Sequence, residues 1–137
     1  MNRIFLVLAC AVPLRAWAGD VVVTVTGVRN DRGHVRVALC QKASFLQPHC
    51  PWQGNAPAVN GETRVLVKNV PAGTYAAQAF HDEDDNGTLD RNFLGLPKEG
   101  MGFSNNAPMR FGPPRFNAAA FPVTAKGAEI RFALKYY

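Results

Sequence analysis

An acidic stretch in the second half of the chain has the residue types and the spacing of a cation site. It runs from Asp82 to Asp90 as DEDDNGTLD and matches the opening of an EF-hand calcium loop, with oxygen donors at the first, third, fifth and ninth positions and glycine at the sixth. A hard cation takes about six to eight oxygen ligands, and a tightly curled loop turns every second side chain inward. The predicted calcium ligands are Asp82, Asp84, Asn86, Thr88 (through its carbonyl) and Asp90.

The remainder of an EF-hand is missing here. The twelfth position is Phe93 instead of a bidentate glutamate, and no helical pattern flanks the stretch. A calcium loop between two strands is one interpretation, with coordination completed by Glu99, by backbone carbonyls or by water. The other is a solvated, metal-free turn, because Asp-Asn-Gly at 85–87 is a strong turn signal. His81 is predicted to be a structural histidine, since a hard cation prefers oxygen.

The acidic stretch opens a long segment, residues 82–115, that is rich in glycine, proline and asparagine. Loops of this length in compact domains are usually functional or held in place by another group. The segment either presents a recognition surface, or its phenylalanines (Phe93, Phe103 and Phe111) cap the core while its amides satisfy loop backbone. Trp52, outside the segment, either joins that surface or covers a disulfide. The candidate recognition residues are Glu99, Phe103, Asn105, Asn106 and Trp52.

Catalytic chemistry is not indicated by the sequence. Ser44 and Ser104, the candidate nucleophiles, do not lie in a Gly-x-Ser-x-Gly elbow, and the three histidines lack the spacing of a transition-metal site. The acidic residues share one loop, where calcium accounts for them better than glycoside cleavage does. The chain is predicted not to be an enzyme, and a hydrolase built from residues 82–115 is the least favoured alternative.

Alternation of apolar and polar residues predicts six strands separated by turn residues. The predicted strands are 20–26, 34–40, 63–70, 74–81, 118–124 and 128–136. The first two strands, and the next two, are each expected to pair as a hairpin because short turns join them. Short strands without a sustained helical period indicate an all-β fold, an antiparallel two-sheet Greek-key sandwich with one long ordered loop.

Residues 1–18 are predicted to be a signal peptide. A positively charged start precedes an apolar stretch, residues 4–12, and Ala-Trp-Ala at 16–18 is a small-x-small cleavage site. The alternative is a lipoprotein box that ends at Cys10. Cleavage after residue 18 would leave one soluble domain, residues 19–137, in the periplasm or the medium, since no later stretch is long and apolar enough for a transmembrane segment.

Cleavage would also change the cysteine count and the charge. Cys40 and Cys50 would remain, and in an oxidising compartment a disulfide between them is expected. The net charge would fall from +5 to +3 with the loss of Arg3 and Arg15. The other basic residues are scattered along the chain, which argues against a nucleic-acid partner.

Three motifs carry a resemblance to a known family. They are FHDEDDNGTLD at 80–90, NFLGLPKEGMGFSNN at 92–106 and FGPP at 111–114. The chain resembles, over essentially the whole predicted mature region, the bacterial family known as domain of unknown function 2141. The resemblance implies an exported β-sandwich and brings no established activity. The VPAGTY turn at 70–75 is similar to transthyretin-like and carboxypeptidase-regulatory-like sandwiches, which implies an accessory or binding role.

These observations favour a non-enzymatic protein of the cell envelope. We expect a calcium-stabilised binding or interaction module whose partner is an envelope protein or a glycan. The alternative is a carbohydrate-binding module with Trp52 or the loop phenylalanines as stacking platforms. A sugar site needs an exposed aromatic ring beside polar groups, whereas a protein interface needs a broader apolar patch with a polar rim.

Export predicts a defined N-terminus. Protein recovered from the periplasm of an expressing bacterium should begin at Gly19, because cleavage follows the small-x-small site, and mass spectrometry of the intact protein measures this. Cys10→Ala should be processed in the same way. A mature protein that begins at Cys10 and stays with the membrane would establish the lipoprotein alternative instead.

Overall fold

The strands follow the apolar alternation of the sequence. The computed structural model describes residues 18–47, 50–89 and 97–137, so the predicted signal peptide lies outside the described residues except for Ala18. Within them the chain forms β1 (Ala18–Val28), β2 (His34–Cys40), β3 (Trp52–Pro57), β4 (Gly61–Pro71), β5 (Gly73–Asp82), β6 (Met101–Phe103), β7 (Ala120–Val123) and β8 (Ala128–Ala133). A short 3₁₀ turn (Ser104–Asn106) and a four-residue helix (Phe116–Ala119) lie between β6 and β7. No helix in these ranges is long and apolar enough to cross a membrane.

Two sheets pack against each other, which confirms the predicted all-β sandwich. The smaller sheet has the order β4-β1-β8, and the larger has the order β3-β2-β5-β6, with β7 also paired to β5. In contrast to the predicted antiparallel arrangement, β1 and β8 run parallel, whereas β1 and β4 run antiparallel. A parallel pair requires a long crossover, and here the chain forms the whole of the larger sheet between β1 and β8.

The core lies between the sheets and is built by alternate residues. Val21, Val23 and Val25 of β1 are fully buried, and the register sets Val67 and Val65 of β4 opposite the first two. Burial of one such side chain stabilises the fold by about 1.5–3 kcal/mol. The larger sheet supplies the facing layer, which includes Val35, Val37, Leu39, Tyr75, Ala77 and Ala79.

The two predicted hairpins are wrong. β1 and β2 lie in different sheets, as do β4 and β5, and a corner joins each of these pairs across the sandwich. Alternation specifies which face of a strand is buried, but it does not specify the neighbouring strand. Because both sheets offer an apolar face, consecutive strands can face each other across the core instead of sharing hydrogen bonds.

The segment that was expected to be one long loop contains regular structure. β6 pairs with β5 and sets Met101 opposite Phe80. The His81 backbone N–H donates to the Gly100 carbonyl at 2.8 Å, so the chain that leaves β5 returns to the same strand. The segment between these two contacts, residues 83–100, is called the excursion below, and its base is closed.

A disulfide joins Cys40, the last residue of β2, to Cys50, as predicted. The loop that it closes places Phe45 on the outer face of the larger sheet, where the ring packs edge-on against Phe103 and Phe116. These rings belong to a second, smaller apolar cluster outside the main core. The disulfide therefore anchors a cover for part of the outer face.

Removal of the disulfide should destabilise the sandwich. In the chain-entropy model, a cross-link with a sequence separation of 10 stabilises the fold by about 3 kcal/mol. Cys40→Ala/Cys50→Ala should lose that free energy of unfolding, measured by urea unfolding, and reduced wild-type protein should match the double variant. Equal unfolding free energies for oxidised wild type and the variant would contradict a stabilising role.

Candidate metal centre

Asp82 is the last residue of β5, and it is completely buried. Its Oδ2 accepts hydrogen bonds from Arg36 Nε at 2.6 Å and from the Gly87 N–H at 2.8 Å, and its Oδ1 accepts one from the Asn86 N–H at 3.2 Å. Burial by itself raises the pKa of Asp82, but the hydrogen bonds with Arg36, Gly87 and Asp84 and the positive charge of Arg36 together hold the pKa below its ordinary value. The carboxylate is therefore ionised at neutral pH.

The first part of the excursion, with Asp82, forms a turn (residues 82–88) that is called the acidic turn below. Residues from the β1–β2 corner and from β2 pair with two further carboxylates of this turn. Glu83 forms an ion pair with Arg29 at 2.5 Å and accepts a hydrogen bond from Asn30 Nδ2 at 3.1 Å. Burial by itself raises the pKa of Glu83, but the hydrogen bonds from Asn30 and Arg29 and the surrounding positive charge together hold it below its ordinary value. Asp85 accepts a hydrogen bond from His34 Nδ1 at 2.7 Å. The sandwich itself thus compensates part of the acidic charge.

Three carboxylates converge beside this turn. One oxygen each of Asp82, Asp84 and Glu99 lies within 4.8 Å of the other two. Glu99 is buried and Asp84 is exposed. Glu99 Oε2 accepts the Glu83 backbone N–H at 2.8 Å, so the far end of the excursion reaches back to its start. Carboxylate oxygens are the ligands that hard divalent cations prefer, and this cluster has the chemistry to hold one.

The other predicted ligands are placed differently. Asn86 Oδ1 accepts the Thr88 N–H at 3.0 Å, and Asn86 Nδ2 donates to Asp84 Oδ2 at 3.3 Å. Asn86 therefore holds the turn closed, next to the carboxylate cluster, and Thr88 is exposed. Asp90 lies outside the described residues.

His81 is a buried structural histidine, as predicted. Its Nε2 donates to the Arg32 carbonyl at 2.6 Å, because a carbonyl oxygen can only accept. In the neutral imidazole, Nδ1 then accepts from the Tyr136 hydroxyl at 2.9 Å, and that hydroxyl accepts the Arg29 backbone N–H at 3.0 Å. This network ties the C-terminal residues and the β1–β2 corner to the strand that carries the acidic turn.

The loop residues predicted for recognition are engaged within the protein. Phe103 is only 2% exposed, so its ring is not available to a ligand. Asn105 Nδ2 donates to the Ala120 carbonyl at 2.9 Å, and Asn106 Oδ1 accepts the Ala133 N–H at 2.9 Å. These amides satisfy backbone groups, which agrees with the packing interpretation of the segment.

Of the remaining aromatic candidates, one packs against the core and one is exposed to solvent. The half-buried Trp52 packs its ring edge-on against Tyr75, with centroids 5.2 Å apart, so it extends the main core. Phe111 is fully exposed, and its predicted role in capping the core is wrong. Phe93 lies outside the described residues.

The fold and the carboxylate cluster define a disulfide-linked β-sandwich with an acidic excursion at one end of its larger sheet. The chain belongs to the family described as "Uncharacterized protein conserved in bacteria (DUF2141)", whose family model matches residues 23–131. This match spans the sandwich from β1 to β8 and confirms the resemblance carried by the three motifs. No curated protein and no solved structure was found to match, and the similarity of residues 70–75 to transthyretin-like sandwiches is not shown.

Gly33 lies against the base of the acidic turn. A Cβ at Gly33 would lie 1.9 Å from the Asp82 carbonyl oxygen, and its φ is +66°. Gly61 has a φ of +92°, and in the described part of the chain no atom lies within 4 Å of a Cβ placed there. Gly33→Ala should therefore lower the free energy of unfolding by about 1–3 kcal/mol more than Gly61→Ala, because it adds a steric clash to the backbone strain. Urea unfolding compares the two variants, and equal losses would contradict the close approach.

Proposed function

We propose that this protein is an exported, non-enzymatic binding module whose excursion between β5 and β6 is held in place by a calcium ion. The observation that carries the proposal is the convergence of three carboxylates, two of them buried, from the two ends of that excursion. Asp82, Asp84 and Glu99 are the proposed ligands. Asn86, Thr88 and Asp90 remain sequence-based candidates for completing the coordination.

The spacing of the three carboxylates fits a single ion. Calcium binds oxygen at about 2.3–2.6 Å, so two oxygens on one ion lie at most about 5 Å apart. The separations among Asp82, Asp84 and Glu99 fall within that limit, since none exceeds 4.8 Å. The all-oxygen donor set favours calcium over a transition metal. His81, the adjacent nitrogen donor, already has both ring nitrogens in hydrogen bonds.

The proposed ion supports a binding role because it would hold the two ends of the excursion together. It would link the start of the excursion at Asp82 and Asp84 to its end at Glu99, and would thereby restrain the chain between them. Recognition residues commonly lie on loops that a rigid scaffold positions. The predicted signal peptide supports a location outside the cytoplasm, and extracellular calcium modules typically bind with dissociation constants of about 10⁻⁴–10⁻³ M.

Calcium should bind to the protein and stabilise it. Calorimetric titration should show a saturable site with a Kd of about 10⁻⁴–10⁻³ M. A calcium concentration about 100-fold above Kd should raise the free energy of unfolding by about 2.7 kcal/mol. Asp84→Asn should weaken binding and reduce the stabilisation, because it removes the negative charge of a ligand while its exposed position leaves the core intact.

Asp85→Asn is the matched control for this experiment. It removes the same charge one residue away, outside the three-carboxylate cluster, and should leave calcium binding unchanged. Absence of binding at millimolar calcium, or an equal loss of binding in the two variants, would contradict the proposed site.

A further inference from the structure

A groove lies on the outer face of the larger sheet, away from the main core. β3, β2 and β5 lie side by side there, and alternate residues of each strand face outward. The groove has a volume of about 280 Å³. Two rows of outward-facing residues line the groove, and each row crosses the three strands in the order β3, β2, β5. The first row is Gln53, Ala38 and Gln78, and the second is Asn55, Arg36 and Phe80.

Side-chain size and the acidic turn make this face concave. Ala38 has the smallest side chain of the two rows and forms the floor between Gln53 and Gln78. Gly87 of the acidic turn also lines the groove, and its N–H is held by Asp82 Oδ2 at 2.8 Å. The groove therefore adjoins the proposed calcium site.

The amides of the groove are available to a ligand. In the described part of the chain, the side chains of Asn55 and Gln78 have no hydrogen-bond partner. Gln53 Nε2 donates to the Cys50 carbonyl at 2.9 Å, which orients its Oε1 as an acceptor. Each amide carries both donor and acceptor groups, and sugar hydroxyls also both donate and accept.

Phe80 gives the groove an apolar surface among these polar groups. Its half-buried ring packs against the second apolar cluster, which restrains it while part of the side chain lines the groove. Pockets commonly combine an aromatic surface with a few placed polar groups that orient the ligand. The C–H face of a pyranose ring and its peripheral hydroxyls match that combination.

The electrostatics of the groove favour an uncharged ligand. Arg36 is the charged residue among those that line it, and its Nε is paired with the buried Asp82 carboxylate at 2.6 Å. The pair compensates its own charge, so the described part of the lining offers no surplus positive charge for a phosphate and no carboxylate for a cationic ligand.

From these features we propose that the groove binds a neutral glycan segment of one or two sugar rings. Gln53, Asn55 and Gln78 contact its hydroxyls, and Phe80 lies against a ring face. The inference rests on the proposed binding role and deepens it, because it names the ligand class. In this proposal the aromatic ring that stacks on a sugar is Phe80, on the outer face of the sheet, instead of Trp52 or a loop phenylalanine.

Titration of nitrogen-15-labelled protein with soluble tetrasaccharides of glucose and of N-acetylglucosamine, followed by NMR, tests this proposal. Saturable shifts are expected for the side-chain amide signals of Gln53, Asn55 and Gln78. Asn55→Ala, at an exposed position, should weaken affinity about tenfold through the loss of its ligand hydrogen bonds. Asn117→Ala removes an exposed amide outside the groove and should leave affinity unchanged.

The outcomes separate this inference from the calcium proposal. No saturable shift with either tetrasaccharide at millimolar concentration in calcium buffer would overturn the glycan assignment, as would shifts that map outside the groove. Binding of an unstructured neutral peptide in place of the sugars would also overturn it. Calcium binding without glycan binding would overturn the glycan assignment but would still support the proposed calcium site. Glycan binding without calcium binding would support the groove and contradict the role of the ion.

Discussion

The buried carboxylate of Asp82 constrains the whole of this end of the sandwich. A charge removed from water must be compensated by hydrogen bonds and by opposite charge, because its desolvation is otherwise very costly. Arg36 and the backbone N–H groups of Asn86 and Gly87 provide that compensation. The turn can donate those N–H groups only if it curls back over the end of β5, so its conformation follows from the burial of one side chain.

The same constraint connects the carboxylate cluster to the outer face. Arg36 holds Asp82 and lines the groove, and Gly87 donates to Asp82 and also lines the groove. An ion bound by Asp82, Asp84 and Glu99 would therefore act on residues that line the groove. The ion pair of Glu83 with Arg29 and the hydrogen bond of Asp85 with His34 keep the turn attached to the β1–β2 corner and to β2, which limits the repulsion that the acidic residues would otherwise impose.

The strands, the disulfide and part of the carboxylate cluster could be predicted from the sequence, because they depend on local patterns. Alternation at residues 21–25 and 35–39 predicts strands with buried valines, and the spacing of Asp82 and Asp84 predicts an inward-facing pair of carboxylates. Glu99 is a predicted ligand because the EF-hand glutamate is replaced by Phe93, and its carboxylate does lie beside those of Asp82 and Asp84. The disulfide followed from the cysteine count and the expected compartment.

The strand pairing, the strands β3 and β6, and the groove depend instead on contacts between residues that are distant in sequence. β3 carries Gly54, Asn55 and Pro57, which have low strand propensity, and β6 is too short for a periodic pattern. The pairing of β2 with β5 brings His34 and Arg36 beside the acidic turn, and nothing near either residue in sequence indicates it. The groove requires the register of three strands, so its residues could be found only in the folded sheet.

A crystal structure of the protein grown with calcium would show whether the three carboxylates hold an ion. We expect an anomalous-difference peak within about 2.3–2.6 Å of carboxylate oxygens from Asp82, Asp84 and Glu99, with Arg36 still paired to Asp82. A structure at millimolar calcium with no ion among these carboxylates, and with the turn held only by its hydrogen bonds and ion pairs, would contradict the proposed calcium site.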